Sequence, residues 1–283
     1  MRHKAIRSVS ILQRPSSARA MTWTKKIRAH IARHHPRVNV LEPHTCPDAV
    51  IALGGDATIM HAAKLCRSKH TRVLGLHVGT LGFLAAERDP RNFLTAVDAL
   101  LAGDVRIEKR HALTARIIRS KKIIAKWDIM NDVVIHNPLG IVSLDVSIDH
   151  QRIQTIRGSG VLVSTASGST AYNLSAHGPI VSPEMPCMII TELLDHNTPT
   201  PSVVIDTKHT TSIRITDFRI RHALTLAGTQ ELANVVAIGD GSELVSLQKE
   251  DTIEVTRGTF PTLFAHTHEH HFFQTLHDAF SFR

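Results

Sequence analysis

The sequence predicts two successive domains, an α/β domain built on a parallel sheet and then a mostly-β domain. Three observations carry that prediction. Short apolar runs alternate with helical patterns up to about Gly103. Residues 49–53 (AVIAL) are continuously apolar and end in Gly54-Gly55, the pattern of a strand buried on both faces of a sheet. After Gly103 the apolar period shortens to two. Val142, Leu144, Val146 and Ile148 alternate with Ser143, Asp145, Ser147 and Asp149, as in a half-buried antiparallel strand.

In chain order, residues 6–12 read as a strand and residues 22–34 as a basic helix. After the apolar run at 49–53, residues 58–66 are rich in Ala, Leu, Met and Lys and read as a helix. Residues 72–76 (RVLGL) give a second short strand. Phe93, Ala96, Val97, Leu100 and Leu101 fall on one helical face, and Gly103 suits its stop. Beyond it Leu113, Ala115 and Ile117 alternate with polar neighbours, as do Ile213 with Ile215 and Ile253 with Val255. Residues 269–282 read as a last helix. The expected architecture is a Rossmann-like α/β domain over 1–103 and a β-sandwich-like domain over 104–262. A tail, 263–283, is expected to pack back on the first domain.

Of 283 residues 42% are hydrophobic and 20% charged, a balance that supports ordinary cores and disfavours disorder. Aromatics are only 4%, so Ile, Leu, Val and Ala must fill those cores. The 33 Lys and Arg outnumber the 25 Asp and Glu, giving +8 with His neutral, which draws anions without choosing among them. A nucleic-acid role rests on that charge alone, since no basic run is interleaved with aromatics and no zinc-finger spacing occurs. Cys46, Cys66 and Cys187 are too few and too scattered for a disulfide framework and suit a reducing compartment. The basic N-terminus lacks a signal-peptide core and no run approaches the ~18 apolar residues of a membrane span. A cytoplasmic protein with no membrane partner is expected.

Four segments can carry chemistry. Gly54-Gly55-Asp56-Ala57-Thr58 sits where a buried strand hands over to a helix, the place where open parallel sheets bind ligands. Its glycines let backbone amides approach a phosphate, the helix start favours an anion, and Asp56 can accept a proton from a hydroxyl. A plain turn with Asp56 as helix cap reads equally well. Residues 158–180 join an apolar strand to the hydroxyls of Ser164, Thr165, Ser167, Ser169 and Thr170, then to Tyr172, the one tyrosine of the chain. Such a set reads ribose, phosphate or an amide-bearing base; the competing reading is a mobile Ser/Thr loop. Asn131-Asp132, ahead of an apolar run, suits either a ribose and adenine contact or an ordinary turn. His266, His268, His270 and His271 have spacings a metal can use, but a solvated tail explains them better, and no metal site is expected. No GxSxG nucleophile motif appears, and Gly168-Ser169-Thr170 lacks the lysine of a P-loop.

Taken together and in this order, these segments resemble the NAD kinase family. That family carries a GGDGT loop, a GINxGxLGFL segment, an NE pair before an apolar strand, and GDGxxxSTPTGSTAY followed by a GGP turn. The matches are GGDAT at 54–58, GLHVGTLGFL at 75–84, NDVVIH at 131–136, GSGVLVSTASGSTAY at 158–172 and HGPIVSP at 177–183. Later come Asp240-Gly241 and an FFxxL pattern at Phe272. GGD alone is weak, being shared with lipid kinases and phosphofructokinases, whereas the long Ser/Thr segment is specific.

The resemblance implies a kinase that moves the γ-phosphoryl group of ATP, or of polyphosphate, to the 2′-hydroxyl of the adenosine ribose of NAD. It assigns Asp56 to activating that hydroxyl and Gly54, Gly55, Ala57 and Thr58 to the phosphate loop. Phe83, Asn131, Asp132, Ser159, Ser167, Thr170, Ala171 and Tyr172 would bind NAD. Mg2+ would bridge the ATP phosphates, and the chain would assemble as a homodimer or homotetramer in which a neighbour helps complete the site. Four departures stand out. Ala57 replaces a glycine, with strain of roughly 1–2 kcal/mol if that position needs positive φ. Asp132 replaces Glu, Ser159 replaces Asp, and His77 replaces Asn. The family's PHxLSxRP stretch is only echoed, without its Arg, at residues 195–202. The competing readings are a non-catalytic NAD(P)-binding relative and a lipid-type kinase on the same GGD loop.

Overall fold

The computed structural model describes residues 5–42, 45, 47–65, 70–79, 82–195, 200–219, 223–226, 232–267 and 272–280. The chain divides into two compact units, Met1–Arg110 with Phe260–Arg283, and His111–Thr259. The break lies after Arg110 rather than after Gly103, and the second unit ends at Thr259 rather than 262. Residues 106–110 and 262–266 pair with one another in the sheet of the first unit, which fixes both limits.

The first unit is an α/β unit. β1 (Ser8–Gln13), β2 (Asn39–Leu41), β3 (Ala49–Gly54), β4 (Arg72–His77) and β5 (Arg106–Arg110) are joined by a strand from the far end of the chain, Thr262–His266. Their order is β2-β1-β3-β4-(Thr262–His266)-β5, parallel throughout except for the last pair. Every residue of β3 is buried, as a central strand covered on both faces requires. α1 (Ala18–His34) starts where the Ser17 hydroxyl accepts a hydrogen bond from the Ala20 amide at 3.2 Å, and it buries Ala20, Ile27 and Ile31. α2 (Asp56–Leu65) follows β3, and α3 (Phe93–Ala102) buries the expected stripe before Gly103 turns left-handed at φ 75°. A short helix, Phe272–Phe280, ends the described chain.

The second unit is an antiparallel β unit. β6 (Leu113–Arg119), β7 (Lys122–Ile129), β8 (Asp132–His136), β9 (Val142–Ile148) and β10 (Gln151–Thr165) lead it, with β11 (Cys187–Asp195), β12 (Val203–Asp206) and β13 (Thr211–Phe218) after a helical interruption. The 15-residue β10 changes partners along its length. Gln151–Gly158 pairs with β9, whereas from Gly160 on it pairs with β8 on one edge and β11 on the other. One cluster of buried Ile, Leu and Val, among them Ile117, Ile135, Val146, Val163, Ile213 and Ile253, fills the interior. Among the described residues no helix is long and apolar enough to cross a membrane.

Candidate active site

In the first unit the site is built on the handover from β3 to α2. Asp56 is the first residue of α2. Its carboxylate oxygens accept the amides of Phe83 at 2.7 Å and Leu84 at 3.1 Å. Each oxygen keeps a lone pair, so the group is oriented yet still able to accept from a hydroxyl. The segment after β4 holds it closely: a Cβ on Gly82 would come within 2.2 Å of an Asp56 oxygen. Gly54 is equally constrained, since a Cβ there would meet the Thr58 hydroxyl at 2.4 Å.

Ala57 lies inside α2 and is exposed, and it is absent from the residues with positive φ. The expected strain is therefore not present. Composition predicts a helix from Thr58; it begins two positions earlier, at Asp56, and that gives Ala57 an ordinary helical backbone. A hollow of about 410 Å3 opens over the first turn, with Arg14, Gly55, Ala57, Thr58 and His61 in its walls. First-turn amides lack intrahelical partners, so this turn and the Arg14 guanidinium suit an anion. Across the sheet from Gly54 stands His77, buried, with neither ring nitrogen hydrogen-bonded among the described residues.

In the second unit the expected segments at 131–132 and 164–172 meet. Asp132 pairs with Ser164 across the β8–β10 ladder. The Thr165 amide donates to the Asn131 carbonyl at 2.8 Å, and its hydroxyl donates to the Met130 carbonyl at 2.7 Å while accepting the Gly168 amide at 3.0 Å. Residues 167–170 then form one 3-10 turn so tight on this segment that a Cβ on Gly168 would lie 2.2 Å from the Asn131 carbonyl oxygen. The Ser/Thr segment is thus ordered, not a mobile loop. Ser167 is buried with its hydroxyl unpartnered among the described residues, and Tyr172 opens the next short helix with 42% of its surface exposed.

Asp240 holds the Asn-Asp pair from the other side. Its carboxylate accepts the amides of Met130, Asn131 and Asp132 at 2.8, 2.7 and 3.1 Å. Burial, together with the neighbouring Asp240 charge, raises the Asp132 carboxyl from 3.8 to about 7. Near neutrality Asp132 is therefore partly protonated, and in that form its carboxyl can donate as well as accept. Ser159 is at the other end of this stretch of β10, five positions from Ser164 and roughly 17 Å away at ~3.3 Å per residue. Thr170 and Ala171 continue the turn that carries Ser167.

Some supports escaped the sequence reading. Asn173 is fully buried; its amide donates to the Pro179 carbonyl at 3.0 Å and its oxygen accepts the Thr191 hydroxyl at 2.8 Å. Ser169, first read as a ligand hydroxyl, instead clasps Val181 through both amide and carbonyl. Arg14 and the scaffolding role of Asp240 had no local signal. His268, His270 and His271 of the tail, Cys46 and Cys66, and part of residues 195–202 lie outside the described residues.

Residues 8–105 match the model for the ATP-NAD kinase N-terminal domain, and residues 130–267 match that for the ATP-NAD kinase C-terminal domain. The NAD kinase of Geobacter metallireducens is 30% identical over 266 residues, covering 90% of this chain and 89% of that protein. The NAD kinase of Moorella thermoacetica is 32% identical over 233 residues, covering 82% and 70%. Among solved structures, yeast NADH kinase complexed with NADH superposes with a TM-score of 0.87 at 20% identity, covering 99% of this chain and 89% of that one. An NAD kinase from Archaeoglobus fulgidus in complex with ATP gives 0.73 at 18% identity, covering 93% and 95%.

Proposed function

Because this chain belongs to the NAD kinase family, we propose that it transfers the γ-phosphoryl group of ATP to the 2′-hydroxyl of the adenosine ribose of NAD, giving NADP and ADP. The observation that carries this reading is the Asp56 carboxylate, fixed by the Phe83 and Leu84 amides at the end of a buried strand. In the step proposed, Asp56 accepts the 2′-hydroxyl proton, the freed oxygen bonds to the γ-phosphorus, and the bond to the ADP oxygen breaks. Such a transition state is loose, so most of the acceleration comes from placing the groups and balancing charge.

The hollow over the first turn of α2, with Arg14 on its wall, suits the phosphates. Mg2+ would arrive with ATP, shielding its phosphate oxygens. The loop fits that role, since Asp56 keeps free lone pairs and an ion of this kind needs few protein ligands. Asn131, Asp132, Ser167, Thr170, Ala171 and Tyr172 would face NAD, with the Asp132 carboxyl near 7 able to donate to a ribose oxygen or accept from a ribose hydroxyl. The resemblance adds Phe83 of the first unit and Ser159 of the second to the residues that would contact NAD. The reading includes a homodimer or homotetramer in the cytoplasm, where the buried free thiol of Cys187 stays reduced.

The test is NADP formation by purified protein with NAD, ATP and Mg2+, read through an NADP-specific dehydrogenase, beside Asp56→Asn. Turnover should fall by roughly 10²–10⁴-fold in the variant, as for loss of a general base. NAD binding by calorimetry should persist. An Asp56→Asn enzyme as active as wild type would remove Asp56 from the chemistry. Parallel reactions with NADH as acceptor and with polyphosphate as donor rank the alternatives, and light scattering measures the assembly.

A further inference from the structure

Away from the nucleotide loop, the two helices on one side of the first sheet bring three metal-ligating groups to a point. α1 carries His30 and His34 in its last turns, and His35 is its cap. The His35 amide donates to the Ile31 carbonyl at 2.8 Å while its backbone leaves the helix at φ −131°, which frees the ring from the helical face. Asp98 lies on α3. The helices are held side by side by Trp23 and Phe93, packed edge to face with ring centres 5.0 Å apart. The outcome is that Nε2 of His30 and Nε2 of His35 each lie 2.7 Å from the same oxygen, Oδ1 of Asp98. All three donor atoms fall within 4.8 Å of one another.

Two imidazoles aimed at a single carboxylate oxygen make a converging donor set. A tetrahedral ion with bonds of ~2.0–2.2 Å keeps neighbouring ligand atoms about 3.3 Å apart, so a small outward rotation of each ring would admit it. The side chains of His30, His35 and Asp98 are 16%, 26% and 44% exposed, which leaves a face open to a water ligand. The end of α1 is also the negative end of the helix dipole, where a cation is favoured. The ring of His34 stacks on that of His30 at 4.6 Å and supports its orientation.

We propose that His30, His35 and Asp98 form a three-ligand site for Zn2+ or a similar late first-row divalent ion, with water in the fourth position. Nitrogen donors and a single carboxylate select such an ion over Mg2+ and Ca2+, which take shells of oxygen. The ion would pin the end of α1 to α3 and does not enter the kinase chemistry.

The experiment uses the full untagged chain stripped with EDTA, titrated with ZnCl2 by calorimetry. It is compared with Asp98→Asn and with the double variant His30→Gln/His35→Gln. The tail histidines are present in all three proteins, so any site they make cancels. Wild type should bind one more equivalent than the double variant, Asp98→Asn should weaken that equivalent at least ~10-fold, and Co2+ should give visible ligand-field bands lost in the double variant. Zn2+ should also raise the thermal midpoint of wild type by more than that of Asp98→Asn or of the double variant. Equal stoichiometry and affinity in all three proteins would overturn the proposal. Should the double variant fail to fold by circular dichroism, the nearly isosteric Asp98→Asn decides alone.

Discussion

Asp132→Asn offers a quantitative test of the buried acid pair in the second unit. In the folded chain Asp132 titrates at about 7, raised from 3.8 by burial and by the adjacent Asp240 charge. A shift of about three units at ~1.4 kcal/mol each bounds the effect near 4 kcal/mol. The folded pKa lies above the unfolded one, so the folded chain keeps a proton that the unfolded chain releases between about pH 4 and 7. The stability linked to Asp132 is fully present below about pH 4 and lost as pH rises through about 7. Asn cannot ionise and escapes the loss. Asp132→Asn should thus be nearly as stable as wild type near pH 4. It should gain about 1 kcal/mol per pH unit on the way up and level off above pH 8, up to ~4 kcal/mol ahead. Urea unfolding read by Trp127 fluorescence in a Trp23→Phe background reports the second unit, where Trp127 packs against the core. An advantage that stays constant with pH, or grows as pH falls, would refute the assignment of a raised carboxyl to this position.

Three further outcomes are expected. Gly168→Ala should destabilise the second unit by at least ~2 kcal/mol or abolish soluble expression, since its Cβ would lie 2.2 Å from the Asn131 carbonyl oxygen; denaturant melts check this. Ala57→Gly should lower stability by up to ~1 kcal/mol and leave kcat unimproved, because the helical backbone at Ala57 holds no strain to release. Glu108 accepts Arg110 at 2.6 Å and meets His266 at 3.3 Å. Although burial opposes its ionisation, His266 and Arg110 lower its carboxyl to about 2. That stability is present above pH ~4.5 and lost as pH falls through about 2. Glu108→Gln should cost about 3–5 kcal/mol at pH 7, with the deficit shrinking in acid thermal melts.

Much of the fold was legible because the deciding signals were local. The apolar run at 49–53 needs only its own residues to announce a strand covered on both faces, and the stripe from Phe93 to Leu101 needs only helical spacing. Legibility failed where the partner was distant. Alternation along β9 puts Asp145 on the wet face, yet it is buried because the Arg214 guanidinium and the Thr155 hydroxyl, each at 2.8 Å, cover it. The strand Thr262–His266 pairs with residues nearly two hundred positions away, which no window of sequence reveals. In the first unit the motif at 54–58, and in the second the motifs at 131–132 and 158–172, are visible as candidate chemistry in the sequence. Their supports are not, since Asp240 acts on backbone amides about 110 residues upstream and Asn173 works from a fully buried position. Ala57 has a helical backbone because α2 begins at Asp56, two residues before the start that composition suggests, so the condition for strain at that position is not met.

The strand Thr262–His266 lies between β4 and β5 in the first sheet, with β4 parallel to it and β5 antiparallel. A ribosome releases β4 and β5 long before it makes the strand that belongs between them. Throughout translation of residues 111–259 the nascent first unit therefore exposes two unpaired strand edges, the kind of surface that invites misassembly. The second unit, being continuous in sequence, can close while still attached to the ribosome. Chains that terminate early, before residue 262, should thus consist of a folded second unit tethered to a sticky, incomplete first one, a natural client for chaperones and proteases.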